Sequence, residues 1–240
     1  LSFAKSTIVV GDDKQTSPEN VGINRSAMFD MLDEYLPMIN GYRTLFDPDN
    51  SLYDLASQRF ASTVMLTEHF RCLPDIIQFS NIHIYNGSII PLRDRPPAAN
   101  WAAVGTVFVE NGYRSGDHNE PEADAIVDLM ESLVARPEYD GMDFGVVSLL
   151  GSTQSKMVWD KLYDRLGPDV LSERRIRCGE AANFQGDERD VMLVSPVVSA
   201  SMPEGTAHFA GDAKLLNVAL TRARNEVIIV GDREACQAAG

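Results

Sequence analysis

The sequence predicts an α/β fold in which a parallel sheet is covered by helices on both faces. Three observations carry this. Short, continuously apolar runs recur along the chain, as at Phe144–Leu150 and Val191–Val194, and such runs mark strands buried on both faces. Segments of helical spacing separate them. Turn-forming residues punctuate the changeovers, as at Gly11-Asp12, Asp47-Pro48-Asp49-Asn50 and Gly231-Asp232. Five or six such strands fit one doubly wound domain.

The elements follow in order. Thr7–Val10 is apolar and β-branched and predicts a strand stopping at Gly11-Asp12. The polar stretch Thr16-Ser17-Pro18-Glu19-Asn20 predicts a loop. Ser26–Leu36 spaces Met28, Leu32 and Tyr35 as a helix does and stops before Pro37. Ser51–Phe60 predicts a short helix, with Ser51 as N-cap and Asp54 at the third helical position. Thr63–Leu66 predicts a strand, Pro74–Tyr85 a helix and Val104–Val109 a strand. Glu120–Ala135 is amphipathic, with Ala123, Ile126, Val127, Met130, Leu133 and Val134 inward. After the strand at Phe144–Leu150 come a helix at Ser152–Leu166 and an edge strand within Val170–Cys178. A strand at Val191–Val194, a helix at Ala213–Ala223 and a strand at Val227–Val230 complete the series. Ligands of such folds bind at the carboxyl ends of strands, which points to the positions after Val10, Leu66, Leu149, Cys178, Ser195 and Val230.

Composition bounds the function. The 240 residues suit one large domain, or one domain plus a piece of another. The formal net charge is −14, whereas a free-standing nucleic-acid binder usually carries a basic face. Residues 111–170 hold 12 acidic and 5 basic side chains, half of that excess, which points to an acidic back and a less acidic working face. No run approaches 18 apolar residues, so no membrane helix is expected, and no signal peptide is read. Cys72, Cys178 and Cys236 are too few for a disulfide framework or a four-cysteine zinc site, which fits a reducing, cytoplasmic setting. His69, His83, His118 and His208 form no ligand spacing, so no metal site is assigned. The chain begins at Leu1, directly in an apolar run, and is read as a fragment of a longer protein.

Four segments could carry chemistry. Ile8–Pro18 delivers a Gly-Asp turn and then Gln15, whose amide can both donate and accept and so can sense a phosphate or a water; the plainer alternative is a strand-to-loop turn. In Thr67–Pro74, Arg71 offers a planar grip on phosphate and Phe70 a flat face for a base; alternatively Phe70 is core and Arg71 pairs with Glu68 or Asp75. In Asn183–Val191, Glu188 can accept from ribose hydroxyls and Gly186 admits a ligand close to the backbone; alternatively the charges there pair on the surface. Leu216–Arg224 ends a helix with two arginines, which the helix dipole alone favours. The dipole does not explain Asn217 and Thr221 four apart together with Arg222.

Together and in this order the segments resemble the later signature motifs of superfamily 1 helicases, in the branch of RNA-surveillance helicases and nuclease-helicases. Gly11-Asp12-Asp13-Lys14-Gln15 resembles motif III, and Glu68-His69-Phe70-Arg71-Cys72-Leu73-Pro74 resembles motif IV. Phe184-Gln185-Gly186-Asp187-Glu188-Arg189-Asp190-Val191 resembles motif V, and Asn217-Val218-Ala219-Leu220-Thr221-Arg222-Ala223-Arg224 resembles motif VI. No G-x-x-x-x-G-K-[ST] phosphate loop occurs in the 240 residues.

The resemblance implies a RecA-like, P-loop NTPase-like sheet: residues 1–50 as the end of a first motor domain, and 51–240 as the second. It implies an ATP-dependent helicase whose ATP site is shared with the first RecA-like domain of the same chain, which holds Mg²⁺. Single-stranded DNA or RNA is the implied partner, and no membrane is. Gln15, Arg71 and Arg222 take the catalytic positions, Gln15 sensing the γ-phosphate and the arginines reaching it. Phe70, Gln185, Gly186 and Glu188 take nucleotide-binding positions, Phe70 against adenine and Glu188 at ribose. Arg224 is assigned to the helix end or an acidic neighbour. Related sequences often carry a small hydroxyl and an acidic residue where this one has Glu180 and Ala182. The fragment alone is expected to be inactive. An ATP-driven protein-remodelling switch and a non-catalytic interaction module are the alternatives.

Overall fold

The continuously apolar runs become the strands of a parallel sheet, and their burial explains why. Phe144–Ser148 is buried at all five positions, and so are residues 191–195. The computed structural model describes residues 6–15, 24–38, 46–47, 50–60, 62–96, 101–110, 112–184, 186–199, 202 and 210–235. In chain order the elements are α1 (Arg25–Tyr35), α2 (Leu52–Arg59), β1 (Glu68–His69), α3 (Pro74–His83), β2 (Ile90–Pro91), β3 (Val104–Phe108), α4 (Glu120–Val134), β4 (Phe144–Ser148), α5 (Ser152–Glu173), β5 (Arg177–Glu180), β6 (Arg189–Ser195), α6 (Ala213–Leu220) and β7 (Ala223–Gly231). They fall into two compact units, Leu1–Leu66 and Thr67–Gly240. The boundary read from the sequence at 50/51 lies inside the first.

In the first unit, Asn24 caps α1 by accepting from the N–H groups of Ser26 and Ala27. Ser51 and Asp54 form a reciprocal capping box on α2, as the sequence predicts. Thr7–Val10 is not a strand: Ile8 and Val10 are exposed. Nor is Thr63–Leu66, where Val64 and Leu66 are exposed. A strand persists when its N–H and C=O groups find a partner, and neither segment pairs with another strand among the described residues.

In the second unit, five parallel strands run in the order β3-β7-β6-β4-β5, and β1 and β2 form a small parallel pair apart from them. Helices α4 and α5 cover one face. There Ile126, Met130, Val158 and Leu162 pack on Val146, Leu193 and Val230. Helices α3 and α6 cover the other, where Ile76, Ile77 and Val218 pack on Val147, Met192 and Val194. The alternation of Val146 and Val147, and of Leu193 and Val194, between the two cores is the period-two signature of a strand. The two-sided parallel sheet of the sequence reading is thus present.

Three boundaries differ. The helix expected to stop at Leu166 kinks there instead. Gly167 takes φ 78°, ψ 163°, and helix resumes after it with Pro168; Pro lacks an N–H and suits the first turn of the resumed segment. The edge strand expected within Val170–Cys178 starts at Arg177, because residues 170–173 belong to α5. The helix expected to reach Ala223 ends at Leu220, and Ala223 already begins β7. No described helix is long and apolar enough to cross a membrane.

Candidate functional site

Arg189 at the start of β6 lies in register with Ala223 at the start of β7. The loops leading into these strands therefore emerge side by side, bringing Glu188 next to residues 221–224. The segment before α3 docks against them through the Leu73 N–H, which donates to the Arg224 carbonyl at 3.1 Å. Within it, the Cys72 N–H donates to His69 Nε2 at 3.0 Å, so the imidazole must be an acceptor on that nitrogen. Burial, with Arg71 nearby, lowers the His69 pKa and favours that neutral form.

This brings three of the motifs together. Arg71 Nε donates to Glu188 Oε2 at 2.7 Å, and its NH1 reaches the Thr221 carbonyl at 3.4 Å. Arg224 donates to Asp190 and Asp143 at 3.0 Å each, and to Glu188 Oε1 at 3.4 Å. Burial acts to lower the Arg224 pKa, but Asp190 and Asp143 raise it overall. Arg224 thus meets acidic neighbours, as assigned. Arg222 differs from both. It is 2% exposed, and its guanidinium donates to the carbonyls of Val218 at 3.1 Å and Phe184 at 3.3 Å. No carboxylate pairs with it among the described residues. Burial, with Arg71 next, lowers its pKa, although an arginine stays charged.

The nucleotide-binding candidates are disposed as follows. Phe70 is 67% exposed. Gly186 has φ +82°, and a Cβ there would meet no atom within 4 Å, so the backbone is open to close approach. Gln185 lies outside the described residues. Gln15 belongs to the first unit, where its Nε2 donates to Asp12 at 2.8 Å. Glu180 ends β5, with its N–H held by Asn183 Oδ1 at 2.9 Å.

The strand-end rule named the positions after Leu66 and Cys178, and Arg71 and Gly186 follow β1 and β5 there. Glu188 and Arg224 instead stand at the amino ends of β6 and β7, where the chain arrives at the sheet, whereas the rule describes groups presented by loops leaving strands.

Two further features escaped sequence reasoning. Arg93 donates through NH1 to the carbonyls of Arg71 at 2.6 Å and Arg224 at 2.7 Å, and through NH2 to Asn225 Oδ1. It ties together the backbones that carry two of the cations, yet it lies in none of the motifs. At the opposite edge, Glu122 is buried and accepts from the Ser195 hydroxyl and, at 2.9 Å, from the Val197 N–H. Gln154 joins Ser195 to the Asn119 backbone. Burial pushes the Glu122 carboxyl up to about 8. The available signal was Asn119 followed three residues later by Glu122, an N-cap pattern.

An open parallel sheet covered on both faces by helices is a doubly wound α/β domain, consistent with a RecA-like fold. The chain belongs to a family of superfamily 1 helicase type, described as an AAA domain, whose model matches residues 48–234. It is 28% identical over 233 residues to the 5′-3′ DNA helicase ZGRF1 of Mus musculus, covering 93% of this chain and 11% of that protein. It is 23% identical over 256 residues to the putative helicase mov-10-B.2 of Danio rerio, covering 94% and 24%. It is 26% identical over 231 residues to the probable RNA helicase armi of Drosophila melanogaster, covering 92% and 17%. The chain thus spans a quarter or less of the length of these relatives.

Proposed function

We propose that the chain is the part of an ATP-dependent superfamily 1 helicase or translocase that supplies cations and nucleotide contacts to an ATP site. The phosphate loop of that site would come from a preceding RecA-like domain of the full-length protein. The observation that carries this reading is the convergence of motif residues Arg71, Glu188, Arg222 and Arg224 on one edge of the sheet. The fit to a nucleoside triphosphate is chemical. Guanidiniums suit phosphate oxygens, the exposed Phe70 ring suits a base, and Gly186 leaves room for close approach. The carboxylates of the cluster are turned to arginines, so Mg²⁺ is assigned to the preceding domain.

In this reading Arg71 exchanges Glu188 for phosphate oxygen, and Glu188 is released to accept from ribose. Arg222 also reaches the γ-phosphate, on leaving the Val218 and Phe184 carbonyls that hold it here. Together the two arginines stabilise charge developing on the transferred phosphoryl group, a role worth ~10³–10⁵ in rate. Gln15 senses the γ-phosphate, and Gln185 completes the nucleotide contacts. The work done is movement along single-stranded DNA or RNA, and the chain alone does not turn over ATP.

The test is ATP turnover by the full-length protein carrying Arg71→Ala or Arg222→Ala. A fall of about 10³ is expected for each. Arg71 is partly exposed, so its variant should fold; undiminished turnover in it overturns the assignment. A second reading, an ATP-driven switch that remodels a protein partner, draws on Glu180, a carboxylate at the end of β5. Strand displacement by the full-length protein separates the two, since a remodelling switch turns over ATP without it.

A further inference from the structure

We propose that the groove between α5 and the start of β5 binds single-stranded nucleic acid, stacking bases on Trp159 and Tyr163 and holding phosphates with Arg175 and Arg177. The groove adjoins the nucleotide cluster, since Arg189 on its wall donates to the Glu188 carbonyl at 2.7 Å, and it shares with the reading above the class of partner.

The concavity has a local cause. The break at Gly167 and Pro168 separates the two segments of α5, and a groove of about 430 Å³ lies against the break and the start of β5. Trp159 and Tyr163 line it one helical turn apart, hence as neighbours on one helix face. They are 36% and 50% exposed, a large solvent-facing aromatic surface for one helix. The other wall is cationic. Arg177 and Arg189 share a single carboxylate, Asp187, at 2.8 and 2.6 Å. Arg177 also lies 5.3 Å from the Phe184 ring centroid, which helps to hold its plane. Arg175, in the left-handed region at φ 46°, pairs with no carboxylate among the described residues. The residues lining the groove include Arg175, Arg177 and Arg189 and no carboxylate, in a chain of net charge −14.

The combination selects the occupant. Each unit of a single strand carries one flat base and one phosphate, which matches rings on one wall and guanidiniums on the other. Stacking on aromatic side chains beside a cationic track is how single strands are held without sequence preference. An acidic peptide would answer the arginines but leave the two ring faces without a flat partner.

The experiment titrates the protein, without ATP, with short oligo(dT) and oligo(U), reading tryptophan emission and oligonucleotide anisotropy. Binding should quench emission. Trp159→Phe should abolish the quench while keeping affinity, because the stacking face remains. Trp159→Ala and Arg175→Glu should each weaken binding about tenfold, the scale of one lost stacking contact. Arg175 is exposed, so its variant remains decisive should the tryptophan variant misfold. Unquenched emission, unchanged affinity in Arg175→Glu, or equal binding of a poly-glutamate competitor overturns the proposal. No ATP turnover is read, so failure here leaves the ATP-site reading standing, and loss of that reading leaves this binding measurable.

Discussion

Arg71 and Glu188 pair at 2.7 Å across 117 residues of sequence, and the other oxygen of the same carboxylate reaches Arg224. The side chains of Arg71 and Glu188 are 34% and 40% exposed. Pairs so accessible to water contribute at most about 1 kcal/mol. Glu188→Gln is therefore expected to move the stability read from urea unfolding by less than about 1 kcal/mol. The same variant should change nucleotide affinity in the full-length protein, because it alters how Arg71 is held. A large stability loss with unchanged nucleotide affinity would show the pair to be structural.

Arg222 should behave in the opposite way. Its guanidinium is enclosed and satisfies the Val218 and Phe184 carbonyls. Arg222→Ala leaves these acceptors short of a donor and opens a void, so a loss of about 2–4 kcal/mol is expected in urea unfolding. Arg222→Lys keeps the charge but not the planar fork, and an intermediate loss is expected. Stability equal to wild type in both would mean that the side chain leaves the interior readily.

These contrasts mark what could be read from residues alone. The buried strands were legible because Phe144–Ser148 and Val191–Ser195 are apolar on both faces, as a covered parallel sheet requires. Thr7–Val10 and Thr63–Leu66 look the same in isolation. Composition does not say whether a partner strand is present. The motif arginines were legible as a set, but not their inequality: neighbours two apart, Arg222 is enclosed while Arg224 meets three carboxylates. Arg93 was invisible because two of its three bonds go to backbone carbonyls, which leave no trace in the identity of the residues it binds.

Glu122 gives the chain a pH dependence of definite sign. Burial pushes its carboxyl up to about 8 in the folded state, from the ordinary 4.5. Between these values the folded state holds a proton that the unfolded chain has released. Stability from this group therefore falls as pH rises from 4.5 towards 8. Glu226, also raised by burial, acts in the same direction. Glu122→Gln keeps an acceptor for Ser195 and Val197 but cannot ionise. Urea midpoints measured across this window should fall less steeply in the variant than in wild type. Parallel slopes would place the pH dependence elsewhere.

The thiols report on the loop that carries Arg71. Burial pushes Cys72 and Cys178 up to about 12, and Cys72 Sγ lies 3.5 Å from the Thr221 carbonyl. Only the thiolate reacts with an alkylating agent. At pH 8, four units lower, its fraction is roughly one in ten thousand, and burial hinders access further. Iodoacetamide at pH 8 should therefore leave both residues unmodified in the native protein and label both in urea, with peptide mapping separating them from Cys236. Rapid native labelling of Cys72 alone would mean that the turn from His69 to Leu73 opens without global unfolding, freeing Arg71 from Glu188 as it does so.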